Sequence, residues 1–226
     1  MSKTSSTERA QPDGLRAMLH LDLITMRAQL WVAALIATFF IVYAGLTRNP
    51  SIALPPITVL TMLSAPTVFS IDEKDRLHSL YDSLPISRRT VINARYLEII
   101  GATLFLSVST ALILLLSGEL TAWWTPLIIA LLVFLACLWF GIQTPAILKF
   151  GSQKAIFVYL VIFIFLGTLP ITLSRYVRLP DKFLDDAPAF LYRYSTAISA
   201  SLLVVALVIL GASWALSQRI YAKQDH

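Results

Sequence analysis

The residues best suited to chemistry form one polar stretch in an otherwise apolar chain. Residues 70–89 read SIDEKDRLHSLYDSLPISRR and bring acids, bases and hydroxyl groups together. Yet the chain contains no G-x-x-x-x-G-K-[ST] loop for nucleotide phosphates, no H-E-x-x-H zinc motif and no G-x-S-x-G nucleophile turn. His20, His78 and His226 lack metal-ligand spacing, and Cys137 is the single cysteine. The stretch therefore predicts recognition of a partner rather than catalysis.

Composition indicates a membrane protein. Of the 226 residues, 57% are hydrophobic and 14% are charged, whereas soluble domains carry about 25% charged residues. The formal net charge of +5 is better explained by loops that face anionic lipid than by nucleic acid. We therefore expect membrane lipid, and no nucleic acid, among the partners.

Six segments lack Asp, Glu, Lys and Arg, and each is long enough to cross a bilayer: 28–47, 49–71, 99–118, 120–148, 155–174 and 194–218. A helix needs about 20 residues to span the hydrocarbon core, and lipid offers backbone polar groups no partner. The pattern predicts an all-α polytopic membrane protein with six transmembrane helices, near 28–47, 51–71, 96–117, 124–143, 155–174 and 195–217. One transmembrane domain would cover 13–218, between a disordered leader over 1–12 and a cytoplasmic tail over 219–226.

The positive charges predict the orientation of these spans. With both termini on one side, that side holds thirteen Lys and Arg residues and the other side holds five. Cytoplasmic loops carry the excess of positive charge. We therefore expect a multi-pass membrane protein with both termini in the cytoplasm, where residues 70–89 would lie between spans two and three.

The polar stretch itself predicts a short amphipathic helix. Ser70 and Glu73 form a capping box, which begins a helix. Its apolar face holds Leu77, Leu80, Tyr81 and Leu84, at helical spacing. Pro85 disfavours helix at Leu84, and Ser87 then caps a second helix that runs through Arg88, Arg89 and Arg95 into span three. The plain alternative is a solvated loop whose apolar face rests on lipid or on the bundle.

A second amphipathic segment precedes the first span. Its apolar stripe holds Leu15, Leu19, Leu23, Met26 and Leu30, and its basic stripe holds Arg16, His20 and Arg27. A basic amphipathic helix of this kind tends to lie on the membrane surface. Asp22 lies near the edge of the apolar stripe. The alternative is that the first transmembrane helix extends below the membrane.

The segment after the second predicted span resembles that of bacterial type-2 ABC transporter permeases, the small six-span exporter subunits. The matching residues are Asp72, Glu73, Lys74, Leu84, Pro85, Ser87, Arg88, Arg95, Tyr96 and Leu97. The resemblance implies a cytoplasmic coupling helix at about 71–83 and an N-terminal elbow helix that includes Leu15, Arg16, Leu19, Leu23, Met26 and Arg27. It also implies a docking surface for an ATPase, formed by Asp72, Glu73, Lys74, Arg76, Leu77, Leu80, Tyr81 and Leu84. Pro85, Ser87, Arg88 and Arg95 would form the helix break and the entry to span three.

The resemblance further implies a permease subunit that is not itself an enzyme. ATP and Mg would be bound by a separate ABC ATPase, two copies per transporter, and the permease would pair with a second copy or with a related permease. The exported cargo would be a peptide, a drug or a lipid-like molecule. A non-transporting scaffold or an immunity-type regulatory protein that docks a partner through the same loop is the alternative. An intramembrane enzyme is disfavoured because the predicted spans hold no deeply placed ionisable side chain.

Three further features carry expectations about packing. Residues 175–194 predict an interfacial helix and turn, because they mix charges with aromatic side chains. Pro126 and Pro145 are expected to mark the ends of span four. Gly211 and Ala215 form a small-x-x-x-small pair, which permits close packing of helices.

Overall fold

Long helices make up the described part of the protein. The computed structural model describes residues 12–63, 88–151, 154–155 and 181–222. Its helices are α1 (Pro12–Thr25), α2 (Arg27–Thr47), α3 (54–63), α4 (Arg88–Ser117), α5 (Thr125–Phe150) and α6 (Asp181–Ala222), with a 3₁₀ turn at Pro50–Ile52 before α3. Within these ranges the structure contains no β-strand.

Four of these helices are long and apolar enough to cross a membrane. They are Arg27–Thr47, Arg89–Ser117, Thr125–Phe150 and Pro188–Tyr221. Their positions correspond to predicted spans one, three, four and six. Predicted span two is described only as far as residue 63, where it is helical, and nearly all of predicted span five lies outside the described residues.

The helices α2 and α4 both end at a residue in the left-handed conformation. After α4, the amide of Glu119 donates to Leu114 O at 2.8 Å and that of Gly118 donates to Leu115 O at 3.1 Å. This pair of bonds defines a Schellman motif, in which glycine normally occupies the left-handed position, and Gly118 has φ 82°. After α2 the left-handed residue is Arg48, with φ 51°, and there the amides of Arg48 and Asn49 both donate to Ala44 O instead. Each motif satisfies carbonyl groups that a helix end would otherwise leave open.

Small residues let the helices approach closely. A Cβ atom added at Gly141 in α5 would lie 2.7 Å from Ile209 Cγ2 in α6. One added at Gly45 in α2 would lie 3.0 Å from Leu116 Cβ in α4. The contact between α5 and α6 is the most extensive between described helices, and Phe140 is fully buried near it. Gly141 and Gly45 therefore let the helix backbones approach closely, because a larger side chain at either position would push the helices apart.

Gly211 does not form such a contact in the described structure. A Cβ atom added there would meet no atom within 4 Å. The close approach between α5 and α6 occurs at Gly141 instead, so the small-x-x-x-small pair identified a helix that packs closely but not the residue that permits it.

One expectation about helix ends is wrong. Pro126 does lie in the first turn of α5, but Pro145 lies inside that helix, which continues to Phe150. Of the helix and turn predicted over 175–194, residues 181–194 are helical and form the start of α6, while residues 175–180 lie outside the described residues. At about 1.5 Å per residue, the 42 residues of α6 are longer than the hydrocarbon core requires, so the helix extends beyond it.

Candidate coupling site

The first turns of α4 hold a buried cluster of charged side chains. Arg95 Nη1 lies 3.0 Å from Asp22 Oδ2 of α1 and 3.1 Å from both carboxylate oxygens of Glu98. The Arg95 side chain is 2% exposed, that of Asp22 7% and that of Glu98 23%. We call Asp22, Arg95 and Glu98 the ion cluster.

The ion cluster joins α1 to α4 with a specific geometry. A buried charge is costly unless it is paired, so two carboxylates beside one guanidinium group fix the relative positions of the two helices. Apolar packing supports the same contact, because Met18 of α1 lies buried against Val91 and Ala94 of α4. The ion cluster and the apolar packing therefore hold α1 against α4 at the same interface.

A network of hydroxyl groups joins α4 to α5 and α6. Tyr96 OH lies 2.6 Å from Ser213 Oγ and 3.0 Å from Ser217 Oγ, both on α6. Ser213 Oγ also donates to Gly141 O of α5 at 2.8 Å. We call Tyr96, Ser213, Ser217 and Gly141 the hydroxyl network. All three side chains in it are buried.

The hydroxyl network explains why a proline is tolerated inside α5. Pro145 has no N–H group, so the carbonyl four residues earlier, that of Gly141, loses its helical donor. The Ser213 hydroxyl group from α6 donates to that carbonyl instead. Serine side chains of neighbouring helices can replace backbone donors in this way within membranes. The Gly141 carbonyl, which has no donor within α5, therefore accepts a hydrogen bond that links α5 to α6.

A more exposed layer of hydrogen bonds lies beside this network. Trp214 Nε1 donates to Asn93 Oδ1 at 3.0 Å, and Gln218 Nε2 donates to the same oxygen at 3.2 Å. The entry turns of α4 are thus bonded to α6 on one side and to α1 on the other. A displacement of this end of α4 must move or break contacts with both helices.

The comparison with protein families now identifies the chain. The model of the family described as ABC-2 family transporter protein matches residues 17–222, which is most of the 226 residues. The chain belongs to the ABC-2 transporter family. No curated protein and no solved structure matches it. It is therefore a membrane protein and a permease subunit of an ABC transporter, a class that works with an ABC ATPase partner.

The sequence-predicted site of this ABC-2 permease is described in part. The predicted coupling helix at 71–83 lies outside the described residues, as do Leu84, Pro85 and Ser87. α4 includes Arg88 and Arg95, and Arg95 lies in the ion cluster. The assignment of an ATPase-docking surface therefore stays a prediction.

A helix does occupy the predicted elbow segment, but its packed face differs from the predicted apolar stripe. Leu23 is 61% exposed, whereas Met18 and Asp22, one helical turn apart, are buried against α4. Arg16 and Arg27 are exposed, and Leu19 and Met26 are half-buried. Leu23, which belongs to the predicted stripe, is thus exposed and can contact lipid. The assignment of α1 as an elbow helix stays a prediction.

Sequence reasoning missed the residues that link the helices. From the sequence alone, Asp22 lies near the edge of the apolar stripe, and Glu98 belongs to no predicted site. The i, i+3 spacing of Arg95 and Glu98 was a local signal for an ion pair. The spacing of Ser213 and Ser217, one turn apart on a long apolar helix, was a weaker signal for a polar contact between helices. Buried charged side chains do therefore occur in the described part of this permease, at the entry of α4.

Proposed function

We propose that this permease subunit exports an amphipathic or hydrophobic substrate, driven by ATP hydrolysis in a separate ATPase that docks on the predicted coupling helix at 71–83. The observation that carries the proposal is the burial of Arg95. It lies in the entry turns of α4, shortly after the predicted coupling helix, and pairs there with Asp22 of α1. A movement imposed on this segment of the chain would reach the membrane through Arg95.

The proposed transmission follows the contacts of α4. The ion cluster would carry a displacement of α4 to α1, and the hydroxyl network would carry it to α5 and α6. Packed helices with discrete side-chain contacts move as units rather than deforming smoothly. The coupling helix would therefore act on a group of helices instead of on α4 alone.

The proposed docking contact follows from the sequence of the coupling helix. Leu77, Leu80, Tyr81 and Leu84 would fill a groove on the ATPase, while Asp72, Glu73, Lys74 and Arg76 would set the register at its rim. Apolar and aromatic anchors in the centre of an interface carry most of its binding energy. ATP and Mg would bind in the ATPase, with two ATPase copies beneath two permease copies, identical or related.

The proposed cargo class follows from the distribution of charge. The described charged side chains of α4 and α5 lie near the helix ends, and apolar side chains such as Leu35, Phe39 and Leu207 are largely exposed. A pathway without a central charge suits a molecule that is apolar or amphipathic. We further propose six spans with both termini in the cytoplasm of a bacterial cell, because this orientation places the larger number of Lys and Arg residues inside.

The docking proposal is tested by a matched pair of double variants. Leu80→Ala with Tyr81→Ala should release the ATPase, since two apolar anchors of about 2 kcal/mol each correspond to an affinity loss of roughly a thousandfold. Ser79→Ala with Asp82→Ala, on the opposite face of the predicted helix, is the control. The measurement is mass spectrometry of the tagged permease, purified from its own membranes in mild detergent.

The expected result is close to one P-loop ATPase per wild-type and per control chain, and almost none with the Leu80 and Tyr81 variant. Equal recovery with both variants would remove the assigned contact face. Wild-type permease that carries a different cytoplasmic protein and no ATPase would favour the scaffold or regulatory alternative.

A further inference from the structure

A polar cavity opens at the end of the bundle opposite to the ion cluster. It lies where α2 and α4 end and α5 begins, and its volume is about 520 Å³. Small-molecule sites commonly have volumes of about 300–1,000 Å³. The lining combines Arg48 and Glu119 with Trp124 and with the polar side chains of Asn49 and Ser51.

The two charges at this cavity have no partner within the part of the chain that the structure describes. Arg48 and Glu119 line the same space but form no ion pair with each other and no side-chain hydrogen bond to another described residue. Arg48 is exposed and Glu119 is half-buried. The loop that carries Glu119 is itself fixed, because Thr125 Oγ1 donates to Glu119 O at 2.9 Å. The cavity therefore presents one positive and one negative side chain, and the loop that carries the negative one is held in place by a hydrogen bond.

The backbone at Arg48 adds a second observation. Arg48 occupies the left-handed position that closes α2, with φ 51°, whereas the equivalent position after α4 is Gly118. Side chains other than glycine are disfavoured in this conformation. The residue that adopts this costly conformation is one that lines the cavity.

Aromatic side chains place the cavity at the level of lipid headgroups. Trp124 belongs to its lining, and the neighbouring Trp123 packs edge-on against Tyr192 of α6, with ring centroids 5.6 Å apart. Trp and Tyr are enriched where a membrane meets water. Tryptophan also binds ammonium groups over its ring face.

We propose that this cavity binds a zwitterionic headgroup, with its phosphate or carboxylate at Arg48 and its ammonium group between Glu119 and Trp124. A ligand of one sign would leave the opposite protein charge without a partner, which disfavours its binding. The arginine fork suits the anionic part of the headgroup. The site does not depend on how the ATPase docks, so it can be tested on the purified permease.

The test uses two short-chain lipids that differ in charge. Dihexanoyl phosphatidylethanolamine is zwitterionic and dihexanoyl phosphatidylglycerol is anionic. Native mass spectrometry of the full chain in detergent should show one saturable site for the zwitterionic lipid, at least tenfold tighter than for the anionic one. Arg48→Gln and Glu119→Gln should each remove this preference. Arg193→Gln, an exposed arginine outside the cavity lining, is the control and should retain it.

Arg48→Gly separates loss of binding from loss of folding. Glycine relieves the left-handed backbone, so the variant should melt no lower than Arg48→Gln and still lose the preference. Equal affinity for the two lipids, or a preference that survives both Arg48→Gln and Glu119→Gln, would overturn the proposal.

The source of the headgroup is distinguished by the lipids that co-purify from native membranes. Enrichment of a zwitterionic phospholipid on the wild type, and its loss from Arg48→Gln, would identify a resident membrane lipid. Wild type that carries no such lipid but still binds the added one selectively would identify a transported amphiphile with the same pair of charges.

Discussion

Charged side chains are paired at one end of α4 and unpaired with each other at the opposite end. At the entry, Arg95 and Asp22 are buried and paired. At the exit, Arg48 and Glu119 border an open cavity and do not pair with each other. The paired charges are positioned to hold α1 against α4, whereas the separated charges are positioned to bind something from outside the chain. This difference supports the two proposals, transmission of movement at one end of the bundle and binding of a headgroup at the other.

Polar contacts between helices show the same difference. At the entry, the hydroxyl network and Asn93 connect α4 to α5 and α6. Towards the exit, the Thr47 hydroxyl group donates to Tyr43 O within its own helix, and the one hydroxyl bond between described helices there is long, from Ser117 Oγ of α4 to Ala44 O of α2 at 3.4 Å. Removing a polar group should therefore cost more at the entry than at the exit. Matched substitutions at the two ends test this directly.

The largest difference is expected between two arginine variants. Arg95→Gln leaves Asp22 and Glu98 as neighbouring carboxylates in a largely buried site, which should lower the free energy of unfolding by about 3–5 kcal/mol. Arg48→Gln removes an exposed charge and should change it by less than about 0.5 kcal/mol. Denaturant titration in detergent without phospholipid measures both, since a bound lipid would itself stabilise the protein.

A further variant isolates the cause of the Arg95 effect. If unpaired carboxylates account for the loss, then Asp22→Asn and Glu98→Gln introduced together should restore much of the stability of Arg95→Gln. Equal costs for Arg95→Gln and Arg48→Gln would remove the distinction between the two ends.

The next largest effect concerns the bond that replaces the missing donor of Pro145. Ser213→Ala leaves the buried carbonyl of Gly141 without its donor, at a cost of about 1–3 kcal/mol. Ser201→Ala is the control, because that exposed hydroxyl group bonds Ala197 O within α6, where backbone donors already serve the carbonyl. The free energy of unfolding should hardly change in the control.

The double variant makes the cause explicit. Pro145→Ala restores an N–H group to α5, so Ser213→Ala should cost markedly less in that background than in the wild type. Costs that simply add would show that Ser213 does not replace the missing backbone donor.

The sequence predicted the helices well where lipid dictates them. Charge-free segments longer than about 20 residues have no alternative to helix in a bilayer, and α2 and α4 end at Thr47 and Ser117, where predicted spans one and three end. The error at Pro145 came from an interaction outside the local sequence, because Ser213 of α6 donates to the Gly141 carbonyl and allows α5 to continue.

The candidate site was predictable only in its location. The pattern after span two identified the entry of α4 as important, and Arg95 and Tyr96 belong to that pattern. It could not show that Arg95 pairs with Asp22, because their contact joins residues far apart in the chain and places a charge in the core. Charge periodicity reports what is on a helix face, whereas the partner across that face depends on tertiary packing.

The smallest effect is expected from a pair of tyrosines at the two ends. Tyr96→Phe removes the hydroxyl group that bridges Ser213 and Ser217 and should cost about 1 kcal/mol, because both serines stay buried with one partner fewer. Tyr43→Phe, in α2, removes a half-exposed hydroxyl group that bonds no other described residue and should cost almost nothing. If the proposed transmission is correct, Tyr96→Phe should also reduce substrate-stimulated ATP hydrolysis by the assembled transporter while leaving ATPase binding unchanged. A stability loss with normal stimulation would restrict the hydroxyl network to a structural role, and transmission would then depend on the ion cluster.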